Sequence, residues 1–187
     1  DTPRSITGVG FQPDFVWAKV RSLGTKVHML IDAVRGGDKN LDSSNTTVEN
    51  SNANREITFA SDGIGILDTG HLNEDTETYV GWFWKANGSG SANTVGDIDS
   101  TVSVNTDAGF SIVSYDGDGS SAGATVGHGL SKAPELILPK NRGDSGSWHS
   151  YHIGLDASSP EDKGILLNAT NAVSDDPGFW NDTAPTT

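Results

Sequence analysis

VGHGLSKAPELILPKNR, residues 126–142, restates a pattern already present at residues 8–21, GVGFQPDFVWAKVR. Pro13-Asp14-Phe15-Val16 aligns with Pro134-Glu135-Leu136-Ile137, a separation of 121 residues. At the same separation Lys19 falls on Lys140, Arg21 on Arg142 and His28 on His149. Each copy reads as a strand, a turn and a second strand. Self-similarity at a long, fixed separation marks a repeated structural unit.

Working outward, almost every apolar run is short and alternating. DFVWAKV places Phe15 and Trp17 on one face and Val16 and Ala18 on the other. VHMLIDAV groups Val27, Met29, Ile31 and Ala33 against His28, Leu30, Asp32 and Val34. EITFA, GIGIL, TYVGWFWKA, GFSIVSY, ELILPK, WHSYHI and GILLNA read the same way, giving about eleven strands. Gly, Ser, Thr, Asn and Asp clusters separate them, and SDG and YDGDGS carry tight-turn chemistry. Helix signals are nearly absent. The expected fold class is all-β, an antiparallel β-sandwich with two repeat-related halves. Residues 1–88 read as the later part of one unit and 100–187 as the earlier part of the next, and the halves are expected to form one sandwich. Residues 89–99, within the Gly/Ser/Asn-rich stretch KANGSGSANTVGDIDS, read as a linker.

Composition narrows the function classes. The 187 residues include no cysteine, which excludes disulfides and Cys-based zinc sites. Twelve Lys plus Arg face 25 Asp plus Glu, a net charge of −13. Such a surface repels nucleic acid phosphates and anionic lipid, and favours divalent cations and neutral ligands. No run approaches the ~20 apolar residues of a membrane helix, so neither nucleic acid binding nor membrane insertion is expected.

The blocks TGVGFQPDFVWAKVRS, IDAVRGG, DSSNTT, TYVGWFWKANG, AGFSIVSYDGDG, VGHGLSKAPELILPKNR and WNDTAPTT resemble repeat modules of tailed-phage virion and tail proteins, those of marine and cyanobacterial phages in particular. The resemblance covers nearly the whole chain. It implies a concanavalin A-like lectin/glucanase jelly roll, a place on the virion surface, and other virion proteins or copies of this chain as partners. A host surface glycan is a further candidate partner, to be judged from the residues themselves.

Several residues are candidates for a site. In SWHSYHIG, Trp148, His149, Tyr151 and His152 put aromatic rings on both faces of one strand. Rings beside polar groups hold sugars, because a pyranose face stacks on the ring while its hydroxyls take hydrogen bonds. Ordinary strand packing is the plainer reading, as it is for Trp17, Trp82 and Trp84. His28 and His149, matched between copies, suggest a shared structural hydrogen bond. Asp116 and Asp118 of DGDG could face one Ca2+ ion, although calcium needs about six to eight oxygens, and a hairpin turn explains the motif more simply. The tripeptide Arg142-Gly143-Asp144 reads as a turn.

Signals for catalysis are weak. Glycosidases need two facing carboxylates, about 5 Å apart in the retaining class. The cluster Glu74-Asp75-Thr76-Glu77 spaces its glutamates by three, which sends them to opposite faces of a strand. No G-x-S-x-G elbow is present. Three functions stay open. They are a non-catalytic virion adhesion module binding glycans, a purely structural virion piece, and a polysaccharide-degrading enzyme. Assembly is expected through the strand edges at SITGVGF and GILLNA.

Overall fold

The computed structural model describes residues 2–51, 57–67, 71–119 and 123–187. In chain order its strands are β1 (Arg4–Thr7), β2 (Phe15–Val20), β3 (His28–Asp32), β4 (Gly36–Asp42), β5 (Asn50–Ser51), β6 (Ile57–Ala60), β7 (Gly63–Ile66), β8 (Tyr79–Trp84), β9 (Ser91–Asn93), β10 (Ser100–Asn105), β11 (Phe110–Tyr115), β12 (Leu136–Ile137), β13 (His149–His152), β14 (Lys163–Leu166) and β15 (Ser174–Asp175). A one-turn helix, α1 (Pro177–Trp180), is capped by the Asp176 carboxylate, which accepts from the Gly178 amide. No helix among the described residues is long and apolar enough to cross a membrane.

The strands form four antiparallel sheets, with orders β1-β7-β6, β5-β4-β3-β2-β8, β11-β10-β9 and β12-β13-β14-β15. The five-stranded sheet is covered on both faces. Val16, Ala18, Met29 and Ile31 pack on Ile57, Ile64 and Ile66 of the β1-β7-β6 sheet. On the opposite face Leu30 and Leu41, flanked by Phe15 and Trp17, pack on Trp148 and Leu138. The alternation read from DFVWAKV and VHMLIDAV therefore assigns side chains to the right faces, and both faces are core. Phe110 extends the second cluster, stacking on Trp84 and tilting against Phe15. Trp84 is half-buried there, but Trp82 sits at the rim, 44% exposed and edge-on to Trp17.

The SDG turn between β6 and β7 is as expected. Gly63 has φ +149°, and a Cβ there would lie 1.9 Å from the Ile6 carbonyl oxygen, so only glycine lets β1 approach. The Asp62 carboxylate accepts the Gly8 and Gly10 amides at 3.0 and 2.6 Å, fastening the chain start to the turn. Asp116–Gly119 leaves β11 without regular structure, and Ser120 lies outside the described residues. The 89–99 stretch is tied into the fold by β9, which pairs with β10, and by a hydrogen bond from the Gly127 amide to the Val95 carbonyl.

Hydrogen bonds of the β2-β3-β4-β5 ladder have counterparts in the β12-β13-β14-β15 ladder. The Lys19 ammonium donates to the carbonyls of Val20 (2.6 Å) and Leu23 (3.3 Å), and that of Lys140 to those of Asn141 (2.6 Å) and Asp144 (3.3 Å). Asp32 Oδ1 accepts the Val34 and Arg35 amides, and Asp156 Oδ1 those of Ser158 and Ser159. Lys39 pairs with Ser51 as Lys163 pairs with Asp175. The Ser43 amide donates to the His28 carbonyl, and the Leu167 amide to that of Trp148.

Trp148, and not His149, thus holds the place of His28. The second hairpin is one residue shorter. Leu136 pairs with His152, whereas the uniform separation of 121 would pair it with Ile153. A one-residue slip sends every side chain to the other face of a strand. This corrects the His28–His149 match and explains why an indole meets the core where an imidazole was expected. His28 instead accepts the Trp17 indole N–H at Nδ1, 2.9 Å. Burial, then the nearby Lys19 charge, lowers its pKa and favours this neutral, accepting form.

Trp148 is 3% exposed and its indole N–H donates to the Asp42 carbonyl at 2.9 Å. Replacing it leaves a large cavity and an unpaired carbonyl between two sheets. We expect Trp148→Ala to lower the unfolding free energy by about 3–5 kcal/mol and Trp82→Ala by about 1 kcal/mol. Equilibrium urea denaturation checks both values.

Candidate functional site

The sequence candidates separate in space. Trp148 points into the core between the layers, as described above. Tyr151 is also buried, edge-on to Trp180 of α1 with ring centroids 5.6 Å apart. His149 lies on the same outer face as Tyr151, exposed but set against Phe179 at 4.7 Å. His152 is exposed at the strand end, where Nδ1 accepts the Gly154 amide. Period-two alternation splits the four residues between two faces, so they form no common surface, and neither Trp148 nor Tyr151 offers a ring face to a ligand.

Asp116 and Asp118 do reach a site, with neighbours the sequence did not group with them. They line a cleft of about 650 Å³ together with Asp97, Asp99, Tyr115 and Arg142. The walls come from the turn before β10, the end of β11 and the loop after β12. Among the described residues no group of three or more His, Asp or Glu is placed to hold a metal ion.

Each wall is held by local chemistry. The Asp97 carboxylate accepts the Thr125 hydroxyl at 2.7 Å and the Thr125 amide at 3.0 Å. The hydroxyl bond, then the amide bond, holds its pKa below the ordinary carboxyl value. Tyr115, the last residue of β11, is 45% exposed, so its ring is available to a ligand. Arg142 is fixed: Nε and Nη2 donate to the two carboxylate oxygens of Glu49 at 3.0 Å each, and Nη1 donates to the Ser114 hydroxyl at 2.8 Å. The Asn141 side chain accepts the Gly143 and Asp144 amides, so Arg-Gly-Asp is a turn whose arginine is committed.

Glu49 is the residue that sequence reasoning passed over. Besides Arg142 it accepts from Arg35 Nη1 at 3.0 Å, and Arg35 Nε donates to Asp32 Oδ2 at 2.5 Å. The network joins the loop after β4 to the loop after β12, and two backbone bonds run beside it, Glu49 amide to Arg142 carbonyl and Gly146 amide to Thr46 carbonyl, both 2.9 Å. Nothing in TTVEN distinguishes Glu49 from a solvated glutamate. The cleft carried a weak signal, since Asp97-Ile98-Asp99 puts two carboxylates on one side of an extended segment.

Chemically the cleft is a set of carboxylate acceptors around an aromatic ring, with one neutralised guanidinium. It disfavours anions. It suits a ligand that donates several hydrogen bonds and presents an apolar face to Tyr115.

Fold and site together define an all-β, multi-sheet module with an open acidic cleft. The chain matches, over residues 1–187, the family described as domain of unknown function (DUF7483), and it belongs to that family. No curated protein and no solved structure matches it.

Glu49 generates a pH prediction. Burial alone would raise its pKa; the hydrogen bonds from Arg142 and Arg35, with their charges, outweigh this and lower it. A carboxyl depressed on folding stabilises the native state above its unfolded pKa, near 4.5, and that contribution is lost as pH falls through the folded value. We expect Glu49→Gln to lose about 2–3 kcal/mol at pH 7, by stranding two arginines, and to flatten the acid limb of the stability curve. Denaturation from pH 7 to pH 3 measures both effects.

Proposed function

We propose that this chain is a non-catalytic glycan-binding module displayed on a virion surface, and that its sugar site is the Asp97–Tyr115–Arg142 cleft. The observation that carries the reading is the half-exposed Tyr115 ring standing among carboxylates, with Asp97 held in its ionised form. Carboxylates accept from adjacent sugar hydroxyls, while the pyranose face covers the ring. The net charge of −13 directs the choice toward neutral sugars.

The setting rests on the resemblance to phage virion modules. We further infer that the two corresponding ladders are two copies of one unit, arranged as a concanavalin A-like jelly roll. The Lys19 and Lys140 bonds, the Asp32 and Asp156 turns and the β4–β5 and β14–β15 registers support this. Trp17 and Leu138, aligned in the two copies, pack in one cluster.

A glycan array followed by calorimetry tests the function. The expected result is binding to neutral oligosaccharides, weakened about tenfold or more by Tyr115→Ala, the worth of one stacking contact. An array with no binder, or affinity unchanged in Tyr115→Ala, contradicts the proposal.

A further inference from the structure

The edges expected to assemble are occupied or minor. GILLNA contains β14, which is interior to its sheet between β13 and β15. SITGVGF contains β1, four residues paired along one side with β7. A longer edge lies elsewhere. β8, YVGWFW, ends the five-stranded sheet and carries neither a charge nor a proline. A long, flat, apolar edge is a template for another strand.

The direction of its backbone groups follows from its partner. The carbonyls of Thr78 and Trp84 accept from the Arg21 and Asp14 amides on the β2 side, and Trp17 pairs with Trp82. Backbone groups alternate along an antiparallel strand. Tyr79, Gly81 and Phe83 therefore turn their amides and carbonyls to the open side. Among the described residues no strand pairs there; just beyond the strand's end the Asn105 side chain donates to the Lys85 carbonyl at 3.4 Å and the Asn87 amide to the Ser103 hydroxyl at 2.8 Å. Gly81 and Trp82 are exposed.

We propose that β8 is a self-association edge, pairing antiparallel with β8 of a second copy across a two-fold axis at Gly81. That register sets Gly81 opposite Gly81, Tyr79 opposite Phe83, and Glu77 opposite Lys85. Charge complementarity selects a second copy as the occupant. Lys85 is exposed beyond one end of the strand, and Glu77, half-buried with its carboxylate also accepting from the Ser22 hydroxyl, stands two residues before the other. The two-fold brings each to its opposite, twice. Gly81 suits the axis because it has no side chain and the Phe83 ring already lies over it, 3.1 Å from where a Cβ would stand. A closed pair uses the edge once in each copy, giving a dimer and not a filament. The contact is narrower than the roughly 800 Å² per partner of a standard interface, so the dimer dissociates on dilution. This holds whether or not the cleft binds sugar.

Sedimentation equilibrium from about 1 μM to about 1 mM tests it, a range spanning weak to moderate affinity. The wild type is expected to dimerise reversibly. Lys85→Glu and Glu77→Lys, each placing like charges opposite one another, are expected to weaken the dimer about tenfold. The double variant Glu77→Lys/Lys85→Glu is expected to restore it. Thermal melts of all four proteins show that the fold is retained. A wild type monomeric throughout, single variants that dimerise like it, or a double variant no stronger than the singles, each overturns the proposal.

Discussion

A sheet buried on both faces governs this structure. β2 and β3 present Val16, Ala18, Met29 and Ile31 to one layer and Phe15, Trp17 and Leu30 to another. Trp148 is the pin on the second side. Its ring fills the space over Leu30 and Leu41, and its N–H satisfies the Asp42 carbonyl at the rim of that space. Without that contact the five-stranded sheet would expose a wall of large apolar rings. Trp148 and Leu138 seat the far layer on the sheet, and the Glu49–Arg142 bonds hold the loop after β12 at the cleft.

The electrostatics follow the same seam. In a chain of net charge −13, Arg35 and Arg142 converge on a single carboxylate, Glu49. The two cations are supplied by different parts of the chain, and their hydrogen bonds and charges outweigh the burial that would otherwise raise the pKa of the acid. Beside this seam the cleft collects the carboxylates of Asp97, Asp99, Asp116 and Asp118 near Tyr115. A site formed this way has little use for phosphate or sulfate groups and ample capacity for hydroxyl donors.

Much of the fold was legible in the sequence, and the reason is period two. Alternation in DFVWAKV and VHMLIDAV assigned the β2 and β3 side chains to the correct faces, although Ala33 and Val34 lie in the turn beyond β3, and SDG marked a turn that requires glycine at Gly63. What escaped depended on register and on distance. Alignment by residue separation placed His149 at the His28 position, but hydrogen bonding shortens the second hairpin by one residue and moves Trp148 there. Sequence shows no hairpin length when both loops are polar. Strand packing was the plainer reading for Trp148 and Tyr151, but their covers, Leu30 and Leu41 for one and Trp180 for the other, lie far along the chain and could not be named. Asp97, Tyr115 and Arg142 span three segments, and no local pattern joins them.

The layers on either side of Trp148 form one cooperative structure. Native-state hydrogen exchange followed by mass spectrometry tests it most directly. Amides of β2, β3, β13 and β14 are expected to exchange through one opening, with a common free energy and a common denaturant dependence. Exchange of β13 and β14 at a distinctly lower free energy, with β2 and β3 still protected, would contradict it.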